Sequence, residues 1–104
     1  MITFTRNKHS IRVTFSISKH LSDAQETAAD VGDSVFYFRV YCGPSTVDRI
    51  AASIGANAGT ERIWGYVNAE DEASARVAIV ESLNNVGFSG FRLRDVFAEE
   101  RINC

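Results

Sequence analysis

Residues 34–42 decide the fold, and their sequence is SVFYFRVYC. One set of alternate positions is apolar throughout and consists of Phe36, Phe38, Val40 and Cys42. The other set consists of Val35, Tyr37, Arg39 and Tyr41. Because successive side chains of a strand point to opposite faces of a sheet, this alternation predicts a strand with one face on the core. Gly43 and Pro44 then predict the end of the strand.

The remaining elements are assigned outward from this strand by the same kind of periodicity. Strands are predicted over residues 11–18, 62–68 and 91–97, and helices over residues 22–31, 45–54 and 71–86. Residues 1–18 are predicted to form a hairpin with a polar turn at Asn7 to Ser10, and residues 56–60 a loop of small residues. The predicted helix caps are Ser22, Ser45 and Asp71 at the starts and Gly32, Gly55 and Gly87 at the ends.

This order of elements predicts a single α+β domain spanning residues 1–104. We expect a ferredoxin-like antiparallel sheet of four to five strands with the helices on one face, preceded by the hairpin at 1–18. Residues 98–104 are polar and are expected to fray. An alternative topology pairs the two strands that flank the 45–54 helix in parallel, as a βαβ unit.

Composition narrows the class of protein. The chain has 104 residues, 45% of them hydrophobic, which is enough for one domain to bury a core without metals or disulfides. Its formal charge of -2 does not indicate a polyanion-binding protein. No apolar stretch approaches the roughly 20 residues of a membrane span, and the N-terminus lacks a signal-peptide pattern. We therefore expect a cytoplasmic protein. Its two cysteines are expected to be reduced, as is usual in that compartment.

If the helices cover the apolar face, the other face of the sheet stays open. The residues predicted there are Tyr37, Arg39, Tyr41, Arg62, Trp64, Tyr66, Arg92 and Arg94. Tyr, Trp and Arg are enriched in binding hot spots, which predicts a partner-binding surface. Two alternatives remain open. The aromatic residues form cross-strand pairs that only stabilise the sheet, or the face is an interface in a homodimer.

One segment resembles a known family. The run Arg62-Ile63-Trp64-Gly65-Tyr66-Val67 resembles the central-strand motif of RNA-recognition-motif domains. Residues 71–85 and Phe91 to Arg94 are similar to the helix and last strand that follow it, so the resemblance covers residues 62–96. It implies that Trp64 and Tyr66 stack on bases and that Arg62 meets a phosphate.

The sequence contains few patterns that indicate catalysis. Tyr41-Cys42-Gly43-Pro44-Ser45 resembles the thioredoxin active-site turn with Ser in place of the second Cys, but Cys42 also suits a small core position. His9 and His20 have no metal-ligand spacing around them. We therefore predict a protein that is not an enzyme and uses no cofactor and no metal.

The composition and the open face together predict a macromolecule-binding protein. Another protein is the expected partner, with the chain acting as a small inhibitor or adaptor by steric occlusion. Compact acidic domains of this kind are typical of inhibitors encoded by phages and mobile elements, including anti-CRISPR proteins. The alternative is single-stranded RNA or other nucleic-acid binding through the same face.

Overall fold

The computed structural model describes residues 3–8 and 11–101, with side chains described from residue 15 onward. The strands are β1 (Thr3–Lys8), β2 (Ile11–Ser18), β3 (Ser34–Tyr41), β4 (Asn57–Ala58), β5 (Arg62–Ala69) and β6 (Val96–Arg101). The helices are α1 (Leu21–Val31), α2 (Pro44–Ile54) and α3 (Glu72–Asn85), and a 3-10 turn spans Leu93–Asp95. The predicted α+β class is confirmed.

All strand pairings in the sheet are antiparallel. The strand order is β1-β2-β5-β3-β6, and the two-residue β4 pairs with β5. Strands β3 and β5, which flank α2, run antiparallel from Ser34 opposite Ala69 to Tyr41 opposite Arg62. The alternative of a parallel βαβ unit is therefore wrong. Strand β4 falls in the predicted loop and extends the β2 side of β5 beyond the end of β2.

Strands β1 and β2 are neighbours at one edge of the sheet. Their register runs from Thr3 opposite Ser16 to Lys8 opposite Ile11. Strand β1 continues through residues 7 and 8 of the predicted turn. The rest of that turn, residues 9–10, lies outside the described part of the chain.

The main core lies between one face of the sheet and helices α2 and α3. Period-two alternation buries Phe36, Phe38 and Val40 of β3 on this face. The same core contains Phe15, Ile17, Val47, Ile50, Ile54, Ile63, Val67, Ile79, Leu83 and Val96. Burial of these aliphatic and aromatic side chains supplies most of the free energy that holds the sheet against the two helices.

Helix α1 packs on the opposite face of the sheet. Its buried residues, Ala24 and Ala28, form a separate cluster with Val35, and Tyr66 packs against that cluster. Val35 alternates with the core residue Phe36, so it faces away from α2 and α3. The expectation that all helices lie on one face is therefore wrong. Alanine side chains are short, which allows α1 to lie close to the strands.

The helix ends confirm some of the predicted caps. Gly32 and Gly55 take left-handed backbone conformations with φ of 76° and 75° after α1 and α2, as glycine readily does. Asp71 caps α3 by accepting a hydrogen bond from the Ser74 amide at 2.7 Å.

Other predicted caps are wrong. Ser22 and Ser45 lie inside their helices, and the N-caps of α1 and α2 are His20 and Gly43. Gly87, with φ of 93°, follows the C-cap of α3, which is Val86.

Within residues 3–8 and 11–101, no helix combines the length and apolar character of a membrane span.

The last strand differs from its prediction. Residues 91–95 are not part of the sheet, and β6 begins at Val96 and continues to Arg101. The Asp95 carboxylate accepts a hydrogen bond from the Arg92 amide at 2.6 Å, which closes the 3-10 turn that precedes the strand. Residues 98–101 of the predicted frayed tail pair with β3, and residues 102–104 lie outside the described part.

Candidate binding face

Helix α1 covers only part of the face opposite the main core. The uncovered part, which we call the open face, carries side chains from three adjacent strands. On β3 and β5 the cross-strand pairs are Tyr37 with Tyr66, Arg39 with Trp64, and Tyr41 with Arg62. On β6, Phe97 lies opposite Arg39. The aromatic and arginine residues of the open face are therefore Tyr37, Arg39, Tyr41, Arg62, Trp64, Tyr66 and Phe97, and Glu99 lies opposite Tyr37 on the same side of the sheet.

Large apolar surface remains accessible on this face. Tyr41 is 59% exposed and Phe97 39% exposed, and both are among the large hydrophobic residues most open to solvent. Tyr37, Trp64 and Tyr66 are each partly buried. A contiguous aromatic surface of this kind on a small domain commonly marks an interaction site.

The rings also contact one another across the strands. Tyr37 lies 5.9 Å from Tyr66 and 6.4 Å from Phe97 between ring centroids, in tilted and edge-to-face arrangements. Such pairs contribute about 0.5–1.5 kcal/mol beyond the burial of their area. The packing interpretation of these aromatic residues is thus partly correct, because the same rings stabilise the sheet and leave their outer surfaces exposed.

Arginine side chains lie over most of these rings. The Cζ atom of Arg39 is 4.2 Å from the Phe97 ring centroid, that of Arg62 is 5.4 Å from Trp64, and that of Arg101 is 4.8 Å from Tyr37. Guanidinium groups stack on aromatic faces through cation–π attraction, so these contacts hold both partners in defined positions. With Arg39, Arg62 and Arg101 against Glu99, this side of the sheet carries a net positive charge, although the chain as a whole is acidic.

Two of the eight predicted residues lie elsewhere. Arg92 and Arg94 are exposed residues in and beside the 3-10 turn, outside the sheet, so their predicted place on the strand face is wrong. Phe97 takes a place on the open face instead, whereas alternation from Arg92 and Arg94 along a strand at 91–97 would put it on the core face. Its position follows from the strand starting at Val96, since the phase of a strand decides which residues face the core.

A buried polar contact fixes the boundary between α1 and the open face. Asn68, fully buried on β5, accepts a hydrogen bond from the Ser16 amide at 2.6 Å through Oδ1. Its Nδ2 group donates to Asp33 Oδ2 at 2.8 Å, just beyond the end of α1. The amide therefore links β2, β5 and the α1–β3 connection. No feature of the sequence singled out Asn68, since an isolated Asn in a strand pattern carries no recognisable signal.

An acidic recess borders the open face at β6. Phe36, Phe97 and Ala98 line it together with the carboxylate side chains of Glu70, Asp71, Glu72, Glu99 and Glu100. Glu72 pairs with Arg76 at 2.6 Å, and Glu99 lies 3.8 Å from Arg101. Phe97 belongs to both surfaces, so a basic aromatic region and an acidic region meet at one strand.

The candidate nucleophile Cys42 lies at the end of β3, before α2. It is partly buried and packs against the main core. Burial raises the pKa of the Cys42 thiol, which favours the protonated form and disfavours the thiolate that redox chemistry needs. The structure thus gives Cys42 the packing role that the sequence allowed.

Ser18, His20 and Asp23 lie together around a small surface depression. Ser18 Oγ donates to the His20 carbonyl oxygen at 3.1 Å and accepts from the His20 amide at 3.2 Å. These contacts use the His20 backbone and form a local serine turn just before α1, which is not the geometry of a nucleophile with its base.

Comparison of the chain with protein-family models, curated proteins and solved structures found no match. The resemblance of residues 62–96 to RNA-recognition-motif domains therefore stays a prediction from the sequence. Function has to be argued from the open face itself.

Proposed function

We propose that this chain is a non-enzymatic protein that docks on another protein through the open face. It acts in the cytoplasm as a small inhibitor or adaptor, of the kind that phages and mobile elements encode as anti-CRISPR proteins. The mechanism is steric occlusion of the surface that the open face covers. The observation that carries the proposal is the exposed set of Tyr41, Phe97 and the neighbouring arginines on a rigid sheet.

The composition of the open face supports docking over packing alone. Large rigid rings bring contact area at a low cost in side-chain entropy, and arginine adds hydrogen-bond donors. Residues with only a packing role need no exposed outer surface, yet Tyr41 is more than half exposed. We also propose a ferredoxin-like strand arrangement with an N-terminal hairpin as the scaffold that presents these residues.

The proposal is tested by affinity capture from host-cell lysate with the wild type, Trp64→Ala and Leu93→Ala. Leu93 is 47% exposed and lies in the 3-10 turn, so its truncation removes a comparable exposed apolar group outside the open face. Each sample is divided and one half is treated with nuclease. We expect a protein that survives nuclease with the wild type and Leu93→Ala and that is lost with Trp64→Ala.

The expected loss follows from the size of the tryptophan contact. Truncation of a central interface tryptophan costs about 2 kcal/mol or more, which is roughly a 30-fold loss of affinity. Folding should change little, because the ring is only partly buried. Unchanged capture in a folded Trp64→Ala variant would refute the docking role of Trp64, and unfolding of the variant would assign the ring to the packing of the sheet.

A second candidate function is single-stranded RNA binding. The adjacent rings of Trp64 and Tyr66 on β5, with Arg62 beside them, favour it because bases stack on such rings. Nuclease-sensitive capture and a steep fall of affinity with salt concentration would support this function over a protein partner.

A further inference from the structure

Arg39 lies at the centre of the open face with aromatic residues on every side. Its cross-strand neighbours are Trp64 and Phe97, and Tyr37 and Tyr41 precede and follow it on the same face of β3. The side chain is partly buried among them. Its Cζ atom lies 4.2 Å from the Phe97 centroid and 5.8 Å from the Tyr41 centroid.

This guanidinium group forms no ion pair in the described part of the chain, where Glu99, the acidic residue on the same side of the sheet, pairs with Arg101 at 3.8 Å. The Nε atom of Arg39 is buried and has no hydrogen-bond partner, and its described contacts are the two with aromatic rings. Arg76 on α3 also has a buried Nε atom without a partner, but its guanidinium group pairs with Glu72 through Nη2 at 2.6 Å. A partly desolvated cation without an acceptor is unfavourable, and ring stacking offsets only part of that cost. An anionic acceptor supplied from outside would complete the site.

The acidic recess favours a protein over a nucleic acid as the source of the anion that binds Arg39. A nucleic-acid strand on the open face would bring phosphates close to Phe97, next to the acidic residues Glu99 and Glu100. Repulsion there disfavours a uniform polyanion. A protein can present one carboxylate to Arg39 and a basic side chain to the recess, so that both regions meet opposite charge.

We propose that the partner is a protein segment that places an Asp or Glu carboxylate against Arg39 and a Lys or Arg side chain in the acidic recess. This inference rests on the proposed function, since it assigns the partner chemistry of the same face. Arg39 is then the residue that determines specificity, and the rings around it exclude water from the ion pair and strengthen it.

The test is selection of a random peptide display library on the full-length wild type, Trp64→Ala, Arg39→Gln and Arg94→Gln. Arg94 is an exposed arginine outside the sheet, so Arg94→Gln is a matched control for loss of charge. Selected peptides are then labelled with a fluorophore and titrated by fluorescence anisotropy, a readout that also serves Trp64→Ala, which has no tryptophan. Circular-dichroism melting checks that each variant folds.

We expect peptides that combine acidic and basic residues. They should bind the wild type and Arg94→Gln equally and Arg39→Gln at least about tenfold more weakly, as for the loss of one charge-assisted hydrogen bond. Arg39→Glu should regain affinity for a peptide whose acidic residue is replaced by Lys. That rescue would not occur if Arg39 only supported the sheet.

The outcomes separate this inference from the proposed function. Peptides that depend on Trp64 but carry no acidic residue, or that bind Arg39→Gln normally, would overturn the inference and leave the docking face intact. Peptides that bind Trp64→Ala as well as the wild type would overturn both. Oligouridylate binding that is tighter than any peptide and is lost with Arg39→Gln would assign the cation to nucleic acid, which also overturns the inference.

Discussion

Replacement of Asn68 by Ala should destabilise the domain severely, although the residue lies on the less covered face of the sheet. The side chain is fully buried and joins the Ser16 amide at 2.6 Å to Asp33 Oδ2 at 2.8 Å. Loss of the acceptor for a buried amide costs about 1–3 kcal/mol, and loss of a hydrogen bond to a charged group costs about 1.5–3 kcal/mol. Water reaches the partly buried Asp33 and offsets some of this. We expect a net loss of about 2–4 kcal/mol.

The assay is urea unfolding followed by Trp64 fluorescence, with the free energy extrapolated to water. Such a loss corresponds to a fall in Tm of about 10–25 °C for a domain of this size. Asn57→Ala is the matched control, because Asn57 Nδ2 donates one exposed hydrogen bond to the Lys19 carbonyl oxygen at 2.8 Å. That variant should lose about 1 kcal/mol or less. Equal losses in the two variants, or no measurable loss for Asn68→Ala, would refute the assigned role of the buried amide.

Three further predictions test other parts of the structure. Gly65→Ala should lose about 1–3 kcal/mol in urea unfolding, because a Cβ there would lie 2.8 Å from a β2 carbonyl oxygen, whereas Gly43→Ala, with open space around it, should be nearly neutral. In a Cys104→Ser background, Cys42 should react with iodoacetamide more slowly than a free cysteine at pH 8, since burial raises its pKa, and a faster reaction would contradict this. Light scattering of Tyr66→Glu and the wild type should give the same molar mass, because α1 covers part of Tyr66, and dissociation on mutation would instead indicate a homodimer through this face.

Alternation within single strands predicted much of the candidate site. The pattern of residues 34–42 and 62–68 placed six of the eight predicted residues on one face, and the register of β3 with β5 brings them together. The prediction works there because the apolar set is complete and neither strand is interrupted. Their role in binding stays a prediction.

The last strand shows why the positions of Arg92, Arg94 and Phe97 were predicted wrongly. Phe91, Leu93 and Phe97 have the spacing of a strand, but the hydrogen bond from the Arg92 amide to Asp95 turns the chain before Val96. The strand then begins in the other phase, and a shift of one residue reverses every side chain. A local side-chain contact of this kind is not visible in a hydrophobic pattern.

Helix α1 shows a second limit. Its core contacts come from Ala24 and Ala28, which are too small to produce a strong apolar stripe. The sequence therefore indicated a helix but not the face of the sheet on which it lies. That choice depends on tertiary contacts with Val35 and on the Asn68 hydrogen bonds.

The most direct test of the docking proposal is photo-crosslinking in the producing cell. A photoreactive phenylalanine analogue is placed at Tyr41, which is 59% exposed on the open face, or at Val77, which is 37% exposed on α3 across the sheet. We expect a covalent, nuclease-resistant protein adduct from position 41 and none from position 77. Adducts from both positions, an adduct that nuclease removes, or none from position 41 would contradict docking on a protein through the open face.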